Sequence, residues 1–479
     1  MRLSTNPWVV LVLICVAQFM VILDATIVNV ALPSIQSDLD LSEANLQWIV
    51  NAYALFFGGF LLLGGRAGDL LGRKRLFLIG LVVFTVSSFL AGVSVNSGML
   101  IASRAAQGLG AALISPAALS IISTTFAEGK ERARALGVWA AIAIGGSAVG
   151  LILGGLLTQA FSWPWIFFVN VPVGIAGFVL SWRLIPESRD EHAVQAFDVA
   201  GAVTATGGLM SLVYAIVKAE TSGWTSATTI GFFAAAAVLL TAFVLIEQRS
   251  AAPLVRLSIF RIRSLLTANV VMFLVASGMF AMFFFNTLYI QRVLGYGPLE
   301  AGLAFLPFTA GIMVSAGLAS QFAPRIGVRP VAATGMVVSS IGMLLLTQLP
   351  VDGTYLANVL PALLLTSLGM GAVFMPLTLI ATTGLDDSDQ GLASGLFNTS
   401  QQIGGAIGLA ILSTLAASRS SAATGGEKEA LVTGFHWAFA GGAVFVLSAL
   451  VVMLALLRTR HVARIESEAH QEQAVPVAA

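Results

Sequence analysis

Long apolar segments, separated by short polar or Gly/Pro-rich breaks, follow one another along almost the whole chain. Each segment reaches the roughly 20 residues that an α-helix needs to cross the hydrocarbon core of a bilayer. The pattern therefore predicts an all-α integral membrane protein with fourteen transmembrane helices. The predicted spans lie near residues 8–31, 46–66, 76–96, 98–122, 135–159, 164–184, 198–217, 228–247, 267–290, 301–321, 329–349, 355–380, 392–415 and 434–457.

The composition excludes a soluble fold. Of 479 residues, 57% are hydrophobic and only 10% are charged, whereas a soluble domain carries about 25% charged residues. The net charge of +1 gives no indication of nucleic-acid binding, and the single cysteine, Cys15, excludes an internal disulfide. The first apolar segment is longer than the apolar region of a signal peptide, so we expect an uncleaved helix.

Lys and Arg set the expected orientation. Nineteen of the 24 fall on the side of the N-terminus, four fall on the opposite side, and Arg104 lies within a span. Because basic residues concentrate in cytoplasmic segments, and because an even number of spans places both termini together, both termini are predicted to be cytoplasmic. We therefore expect a multi-pass protein of the cell membrane.

Asp24 is an ionisable residue in the middle of the first apolar segment. It lies about ten residues before Pro33, which is expected to end the helix. A charge at such depth costs roughly 3 kcal/mol on insertion scales, so it marks a proton, ion or substrate pathway by default. The alternative is an acid at a helix end that lipid headgroups solvate.

Arg104 is the second charge predicted inside a span, with Gln107 one turn further on. A base in this position needs an acid, a carbonyl or water as its partner. Asp24 is the only acid that the sequence places deep in a span, so it is the expected partner. A carboxyl group near such a base can take up a proton from one side and release it to the other. The alternatives are a static ion pair and an Arg104 that snorkels outward.

The segment between spans 2 and 3 carries a spaced motif, G-x-x-x-D-x-x-G-R-K. Its glycines predict a tight cytoplasmic turn, and its acid can cap a helix or pair with a base. An ordinary basic loop is the alternative. A weaker copy at 321–329 indicates two related halves. The motif residues are Gly65, Asp69, Gly72, Arg73 and Lys74.

Residues 65–75, 23–33 and 104–110, together with the fourteen spans, resemble the fourteen-span drug:proton antiporters of the major facilitator superfamily. The resemblance implies six-helix bundles at 1–190 and 263–460, two added transmembrane helices within 191–262, and a cytoplasmic tail at 461–479. It also implies alternating access and proton-coupled export of hydrophobic or cationic small molecules, such as drugs, antibiotics or secondary metabolites. Asp24 and Arg104 would couple transport to protons, and the 65–75 segment would be a conformational latch.

Span 5 carries glycines at spacings that allow close helix contact. They resemble the antiporter motif G-x-x-x-G-P-x-x-G-G, but Leu151 stands where the motif has proline. This departure keeps open a same-fold transporter of a specific metabolite or lipid, possibly an importer, and plain helix packing explains the glycines equally well. The packing glycines are Gly146, Gly150, Gly154 and Gly155.

Aromatic, Met and amide side chains within spans are candidates for an apolar cavity with a few polar groups. Some members of the resembled family that recognise dications carry a second deep acid in the C-terminal half, so the resemblance implies that polycationic substrates are disfavoured here, where that half has none. The candidates are Trp48, Asn51, Tyr53, Gln107, Asn286, Tyr289, Met375, Asn398 and Gln401.

Motifs for other chemistries are absent from the sequence. It has no Walker motif, no Gly-x-Ser-x-Gly elbow and no metal-spaced His pair within a span. We therefore expect no enzyme activity, no cofactor and no metal. The expected partners are a small-molecule substrate, protons and membrane lipid, without nucleic acid, for a protein that acts as a monomer. The alternative of a membrane enzyme or sensor on the same scaffold is not supported by any set of catalytic residues in the sequence.

Overall fold

The computed structural model describes residues 6–126, 130–188, 198–250, 253–382, 387–424 and 426–457. Within these ranges the regular structure is helical, without a strand. The first nine helices are α1 (Pro7–Asp38), α2 (Glu43–Leu71), α3 (Arg73–Gly92), α4 (Ser97–Thr125), α5 (Lys130–Ala160), α6 (Trp165–Phe168), α7 (Asn170–Leu184), α8 (Val199–Ser222) and α9 (Ala227–Arg249). The others are α10 (Arg263–Leu288), α11 (Pro298–Ala304), α12 (Leu306–Ile326), α13 (Val328–Leu346), α14 (Leu360–Thr382), α15 (Asp387–Ala422) and α16 (Glu427–Leu456).

Thirteen helical segments of the described residues are long and apolar enough to cross a membrane. A shorter apolar stretch, Gly145–Ala160, lies in α5 at the place of the predicted fifth span. The all-α membrane fold is thus confirmed, while the number fourteen is approximate. Predicted spans 6 and 10 are each divided between two helices, and predicted spans 9 and 12 each contain a π-helical turn. An apolar pattern alone does not reveal these four features.

The chain folds into two compact units. One comprises Met1–Leu254 with Gly295–Phe305, and the other comprises Val255–Leu294 with Leu306–Ala479. The first unit therefore contains α8 and α9 as well as the preceding helices. The domain boundaries at 190, 262 and 460 stay predictions.

The core of the first unit lies where α1, α3 and α4 meet. Ile14, Phe77, Phe84 and Ile114 are fully buried there. Burial of a large apolar side chain from water is worth roughly 1.5–3 kcal/mol. Burial from lipid gains less, because lipid tails are themselves apolar. In the second unit, Phe285 packs against rings of α16 with centroid distances of 5.5 and 6.3 Å.

The first helix continues past Pro33, so the expectation that this proline ends it is wrong. Helix α1 runs on to Asp38, and Leu39 closes it by donating its N–H to the Ile35 carbonyl. Residues on both sides of Pro33 are buried, including Leu32 and Ile35. Their packing stabilises the helix beyond the one hydrogen bond that proline removes.

The helical hydrogen-bond ladder of the predicted sixth span is interrupted, although Val169 keeps helical φ and ψ of −59° and −29°. Its two helices, α6 and α7, are separated by the single residue Val169. Pro172 lies in the first turn of α7 and has no N–H to offer the carbonyl of Phe168, so a continuous helix would lose this bond. The break places Asn170, the first residue of α7, inside the first unit, where it is 2% exposed.

The two inserted helices, α8 and α9, form a pair that packs on α2. The ring of Trp48 on α2 lies 6.1 Å from Tyr214 on α8, which lies 4.3 Å from Phe232 on α9. Further along α2 on the same interface, a Cβ added to Gly59 would collide with the Thr206 hydroxyl of α8. Helix α2 and the inserted pair are therefore in direct van der Waals contact.

Candidate functional site

Asp24 is fully buried in α1, where side chains from α4 and α7 surround its carboxylate. Its Oδ2 accepts from Arg104 Nη1 in a salt bridge. Its Oδ1 accepts from Gln107 Nε2 at 3.0 Å and from Asn170 Nδ2 at 2.9 Å. A charge at this depth is tolerated when it is paired and hydrogen-bonded, and these donors meet that need. A headgroup-solvated Asp24 is therefore not what the structure shows.

Arg104 is held by the same cluster and is 1% exposed. Besides Asp24, it donates from Nη1 to Gln107 Oε1 at 2.9 Å and from Nε to the Ile49 carbonyl at 3.1 Å. The guanidinium lies 4.4 Å from the ring centre of Tyr53, a cation–π contact. Outward snorkelling is excluded by these contacts, since the donors of the planar group face protein acceptors instead of the interface.

Two members of the cluster were not predicted from the sequence. Asn170 bonds to Asp24 and also donates to Ser88 Oγ at 3.1 Å, and Ser88 in turn donates to the Phe167 carbonyl at 2.9 Å. The available signal was weak, because it consisted of one Asn and one Ser within long apolar segments. Neutral polar residues are common in spans, so their position alone does not mark a site.

Glycines of α5 bring that helix directly onto α1 beside Asp24. A Cβ on Gly146 would lie 3.3 Å from Phe19 and Ile22, and Gly150 meets Thr26 and the Leu23 carbonyl. The spacing of four residues aligns these glycines on one helix face. The backbone of α5 is thereby packed directly against side chains and one backbone carbonyl of α1 beside Asp24.

Substitution of Gly154 tests this contact. A Cβ at residue 154 would lie 2.7 Å from the Ile27 carbonyl oxygen, so Gly154→Ala forces α1 and α5 apart and should cost about 1–3 kcal/mol through overpacking. We expect a lower unfolding temperature in detergent and reduced transport. Gly145→Ala is the matched control, since its added Cβ meets nothing within 4 Å. Equal stability of the two variants would contradict close α1–α5 packing.

Gly155 and Leu151 lie on a neighbouring face of α5, toward α11. A Cβ on Gly155 would lie 2.5 Å from the Pro298 carbonyl, and the Leu151 carbonyl occupies the space beside Gly302. The Gln159 side chain also accepts from the Leu299 N–H at 3.2 Å. Leu151 lies within a regular helix at the position where the resembled motif has proline.

The motif at 65–75 is mostly helical, and the predicted tight turn is confined to one residue, so the alternative of an ordinary basic loop is not what the structure shows. Gly65 and Asp69 belong to α2, and Arg73 and Lys74 already belong to α3. Gly72 alone joins the two helices, with φ of +104°, a conformation that favours glycine. Since one residue suffices as the connection, the α2–α3 corner is a tight turn.

Glu187, which follows α7, caps the start of α3. Its carboxylate accepts the N–H groups of Lys74 at 3.1 Å and Arg75 at 3.2 Å. The Lys74 ammonium donates back to the Trp182 carbonyl at 2.7 Å. A carboxylate at a helix N-terminus satisfies backbone donors and complements the helix dipole. The sequence did not reveal this role, because Glu187 is more than 100 residues from its partners.

We expect Glu187→Ala to destabilise the α2–α3 corner by about 1 kcal/mol, the usual cost of losing a helix cap. Hydrogen exchange of the amides of residues 74 and 75 should accelerate, because both lose their acceptor. Glu131→Ala, another exposed acid in the first turn of a helix, serves as the control and should leave these amides unchanged. Unaltered exchange in Glu187→Ala would contradict the cap.

Comparison with known sequences decides the family of this chain. The sequence profile of the Major Facilitator Superfamily matches residues 14–409. The chain belongs to the Major Facilitator Superfamily. This confirms the resemblance, and membership in a transporter family implies a multi-pass membrane transporter rather than an enzyme.

Among its relatives, this superfamily member is 40% identical to the puromycin resistance protein pur8 of Streptomyces alboniger, over 87% of this chain and 83% of that protein. It is also 40% identical to the cephamycin export protein CmcT of Amycolatopsis lactamdurans, over 92% and 91% of the two chains. The multidrug resistance protein Stp of Mycobacterium tuberculosis is 37% identical over 84% of this chain and 75% of its own length.

Solved structures of the superfamily share the fold. A peptide transporter POT in complex with sulfate has a TM-score of 0.67 at 16% identity, covering 95% of each chain. A bacterial homolog of the lysosomal transporter Spinster, in an inward-facing and unoccupied conformation, has a TM-score of 0.65 at 16% identity, covering 96% of this chain and 98% of that one. At these identities the likeness concerns the fold alone.

The predicted cavity residues of the first unit of this transporter fall into two groups. Tyr53 and Gln107 belong to the Asp24 cluster, where both contact Arg104. Trp48 is 8% exposed and stacks on α8. Asn51 is fully buried, and within the described residues its carboxamide oxygen and nitrogen have no hydrogen-bond partner.

In the second unit of the transporter the predicted cavity residues are spread over α10, the helical turn that directly follows it, α14 and α15. Asn286 is fully buried and donates to the Met282 carbonyl of its own helix at 2.9 Å. Tyr289 donates to the Pro350 carbonyl at 2.6 Å. Asn398 is exposed, and Met375 and Gln401 are half-buried. Their part in substrate binding stays a prediction.

Proposed function

We propose that this chain is a proton-coupled antiporter that exports hydrophobic or cationic small molecules, such as drugs, antibiotics or secondary metabolites, by alternating access. The observation that carries the proposal is the fully buried Asp24 carboxylate in its salt bridge with Arg104. Intramembrane acids of this kind mark proton relays by default. The named resistance and export functions of relatives that are 37–40% identical support export over import.

In this proposal, Asp24 takes up and releases the transported proton, and Arg104 responds to its charge. As a carboxylate, Asp24 attracts the guanidinium and holds α1 to α4. Protonation removes the negative charge, so the electrostatic attraction between the two helices falls while their neutral contacts remain. The proton gradient thereby favours one arrangement of the helices over another, which is what coupling requires.

The α2–α3 corner would act as the conformational latch on the cytoplasmic side. Gly72 permits the sharp turn, and Glu187 fastens the start of α3 to the segment after α7. A tight corner with a releasable cap suits a part that changes its contacts during the cycle. The proposed location is the cell membrane, with both termini cytoplasmic because basic residues concentrate on that side. The proposed working unit is a monomer.

Import remains a second candidate because Leu151 stands at the proline position of the resembled antiporter motif. A same-fold importer, or a transporter of one metabolite or lipid, would need the same proton site but a different direction of coupling. The direction is therefore a separate result of the experiment below.

Inverted membrane vesicles with an acidic interior provide the test, with ethidium as a lipophilic cationic probe. Export in the cell corresponds to uptake into such vesicles, so wild-type protein should accumulate the dye, and a protonophore should abolish the accumulation. Dye movement only in right-side-out vesicles would indicate import. Accumulation that a protonophore does not affect would overturn proton coupling, and absence of movement in both orientations would overturn export of lipophilic cations.

A further inference from the structure

A chain of hydrogen bonds leads from Asp24 to the break between α6 and α7. Asn170 Nδ2 donates to Asp24 Oδ1 at 2.9 Å and to Ser88 Oγ at 3.1 Å, and Ser88 Oγ donates to the Phe167 carbonyl at 2.9 Å. Each of the four residues is at most 2% exposed. Since Phe167 lies two residues before Val169, neutral groups connect the carboxylate to the interrupted backbone.

Protonation of Asp24 reverses what this residue requires from its neighbours. A carboxylate only accepts hydrogen bonds, whereas a neutral carboxyl group must also donate one. Its Oδ2 faces the guanidinium of Arg104, which has donors only, and its Oδ1 faces the amide nitrogens of Gln107 and Asn170. A neutral Asp24 in this site therefore needs a neighbour that turns an oxygen toward it.

Gln107 is not free to do so while Arg104 keeps its place. Its Oε1 accepts from Arg104 Nη1 at 2.9 Å, so a reversed carboxamide would bring two donors together. The same Asn170 Nδ2 that donates to Asp24 also donates to Ser88, and a hydroxyl group can either donate or accept. Reversal of the Asn170 carboxamide therefore keeps a partner for Asp24, for the Asn170 oxygen and for Ser88, and it removes the Ser88 donor from the Phe167 carbonyl.

We propose that Asn170 and Ser88 form a relay that reports the protonation of Asp24 to the α6–α7 break. With Asp24 charged, Asn170 donates to it and the Ser88 hydroxyl points to the Phe167 carbonyl. With Asp24 neutral, Asn170 Oδ1 accepts from both Asp24 and Ser88, and the Phe167 carbonyl loses the Ser88 donor. The transported proton stays on Asp24 throughout, and no other covalent bond changes. This inference rests on the proposed role of Asp24.

The α6–α7 break is a suitable receiver for this signal. Pro172 has no N–H and therefore removes one hydrogen bond from this turn. Because fewer hydrogen bonds stabilise the turn, the bond from Ser88 to the Phe167 carbonyl matters more for its stability. Its loss would let the sixth span bend more easily after proton uptake. Asn170 and Ser88 are positioning residues in this relay, since neither carries the proton.

Few charged groups compete with the relay. The titratable side chains near Asp24 are Arg104 from α4 and Tyr53 from α2. From α5, Gly146 and Gly150 lie against α1 beside Asp24, and α6 and α7 contribute Phe167 beside Arg104 and Asn170 beside Asp24. Glu300 of α11 caps its own helix at Gly297. Among the described residues around Asn170, Asp24 is therefore the acid whose charge determines the orientation of the Asn170 carboxamide.

Infrared difference spectroscopy between alkaline and acidic buffer tests the relay on the full chain in liposomes. Asparagine labelled with ¹³C in the side-chain carbonyl identifies the carboxamides. We expect a neutral-carboxyl band that Asp24→Asn abolishes, together with a shift of one asparagine band that Asn170→Leu abolishes. Both signals should rise together as the pH falls.

Ser88→Ala tests the far end of the relay without touching Asp24. It should keep the carboxyl band and reduce proton-driven turnover about tenfold, the usual scale of one lost hydrogen bond. Ser87→Ala is the matched control, because Ser87 is adjacent and 4% exposed but is not in the relay. It should transport at the wild-type rate.

The outcomes separate this proposal from the proposed function. An Asp24 carboxyl band without a shift of the Asn170 band would overturn the relay and leave Asp24 as the proton site. Absence of any Asp24 carboxyl band across the pH range in which transport occurs would overturn the proton site itself. Wild-type turnover in Ser88→Ala would overturn the connection to Phe167.

Discussion

Replacement of Asp24 by Asn should abolish proton-driven accumulation of substrate in inverted vesicles. The carboxamide has nearly the shape of the carboxyl group and can still accept from Arg104, but it cannot bind and release a proton at physiological pH. Removal of one partner of a buried ion pair costs about 3–5 kcal/mol, and the retained acceptor should offset part of that. We therefore expect a less stable protein that still inserts and accumulates in the membrane.

Two comparisons make the Asp24→Asn result specific. Substrate exchange without a gradient should persist, because it needs the alternating cycle but no net proton movement. Asp40→Asn is the control, since Asp40 is an exposed acid at the turn after α1, and its φ of +48° suits Asn as well as Asp. Wild-type proton-driven accumulation in Asp24→Asn would show that another group carries the proton.

Replacement of Arg104 by Lys should reduce proton-driven turnover by about tenfold or more, although the positive charge is kept. Arg104 uses two different nitrogens, Nη1 toward Asp24 and Gln107, and Nε toward the Ile49 carbonyl. A single ammonium group cannot reproduce that planar fork, and it would also lose the stacking over Tyr53. Each lost bond to a charged group is worth roughly 1.5–3 kcal/mol.

The measurement for Arg104→Lys is the initial rate of substrate transport at several external pH values. A shifted pH profile would show that the base alters the proton site, whereas a uniform fall would point to packing alone. Arg75→Lys, a change at an exposed position, should leave both rate and profile as in the wild type. If the Arg104→Lys protein has the wild-type rate and pH profile, then only the positive charge at position 104 matters and the planar guanidinium group is not required.

The sequence predicted the features that depend on a large free-energy cost, namely the exposure of apolar segments to water and the burial of charges in lipid. Apolar length specified the membrane helices, and the cost of an unpaired charge in lipid brought Asp24 and Arg104 together as expected. Neutral groups escaped prediction because their burial costs less and leaves a weaker pattern. Asn170, Ser88 and the role of Gln107 as a bridge between the two charges are of this kind.

Local breaks and ends of helices were not predicted from the sequence for a related reason. Pro33 and Pro172 are both prolines in apolar segments, yet α1 continues past one and the sixth span breaks near the other. Packing around each position decides between these results, and that depends on residues far away in the sequence. The cap that Glu187 places on α3 is equally non-local.

The aromatic stack of Trp48, Tyr214 and Phe232 bears on attempts to shorten the protein. Excision of residues 199–249 would look like the removal of a linker, since the helices on both sides are complete without it. It would instead expose a notch on α2 at Gly59, where Thr206 now fits, and leave Trp48 without its ring partner. A twelve-helix derivative would therefore need a larger residue at position 59 to refill the groove that faces lipid.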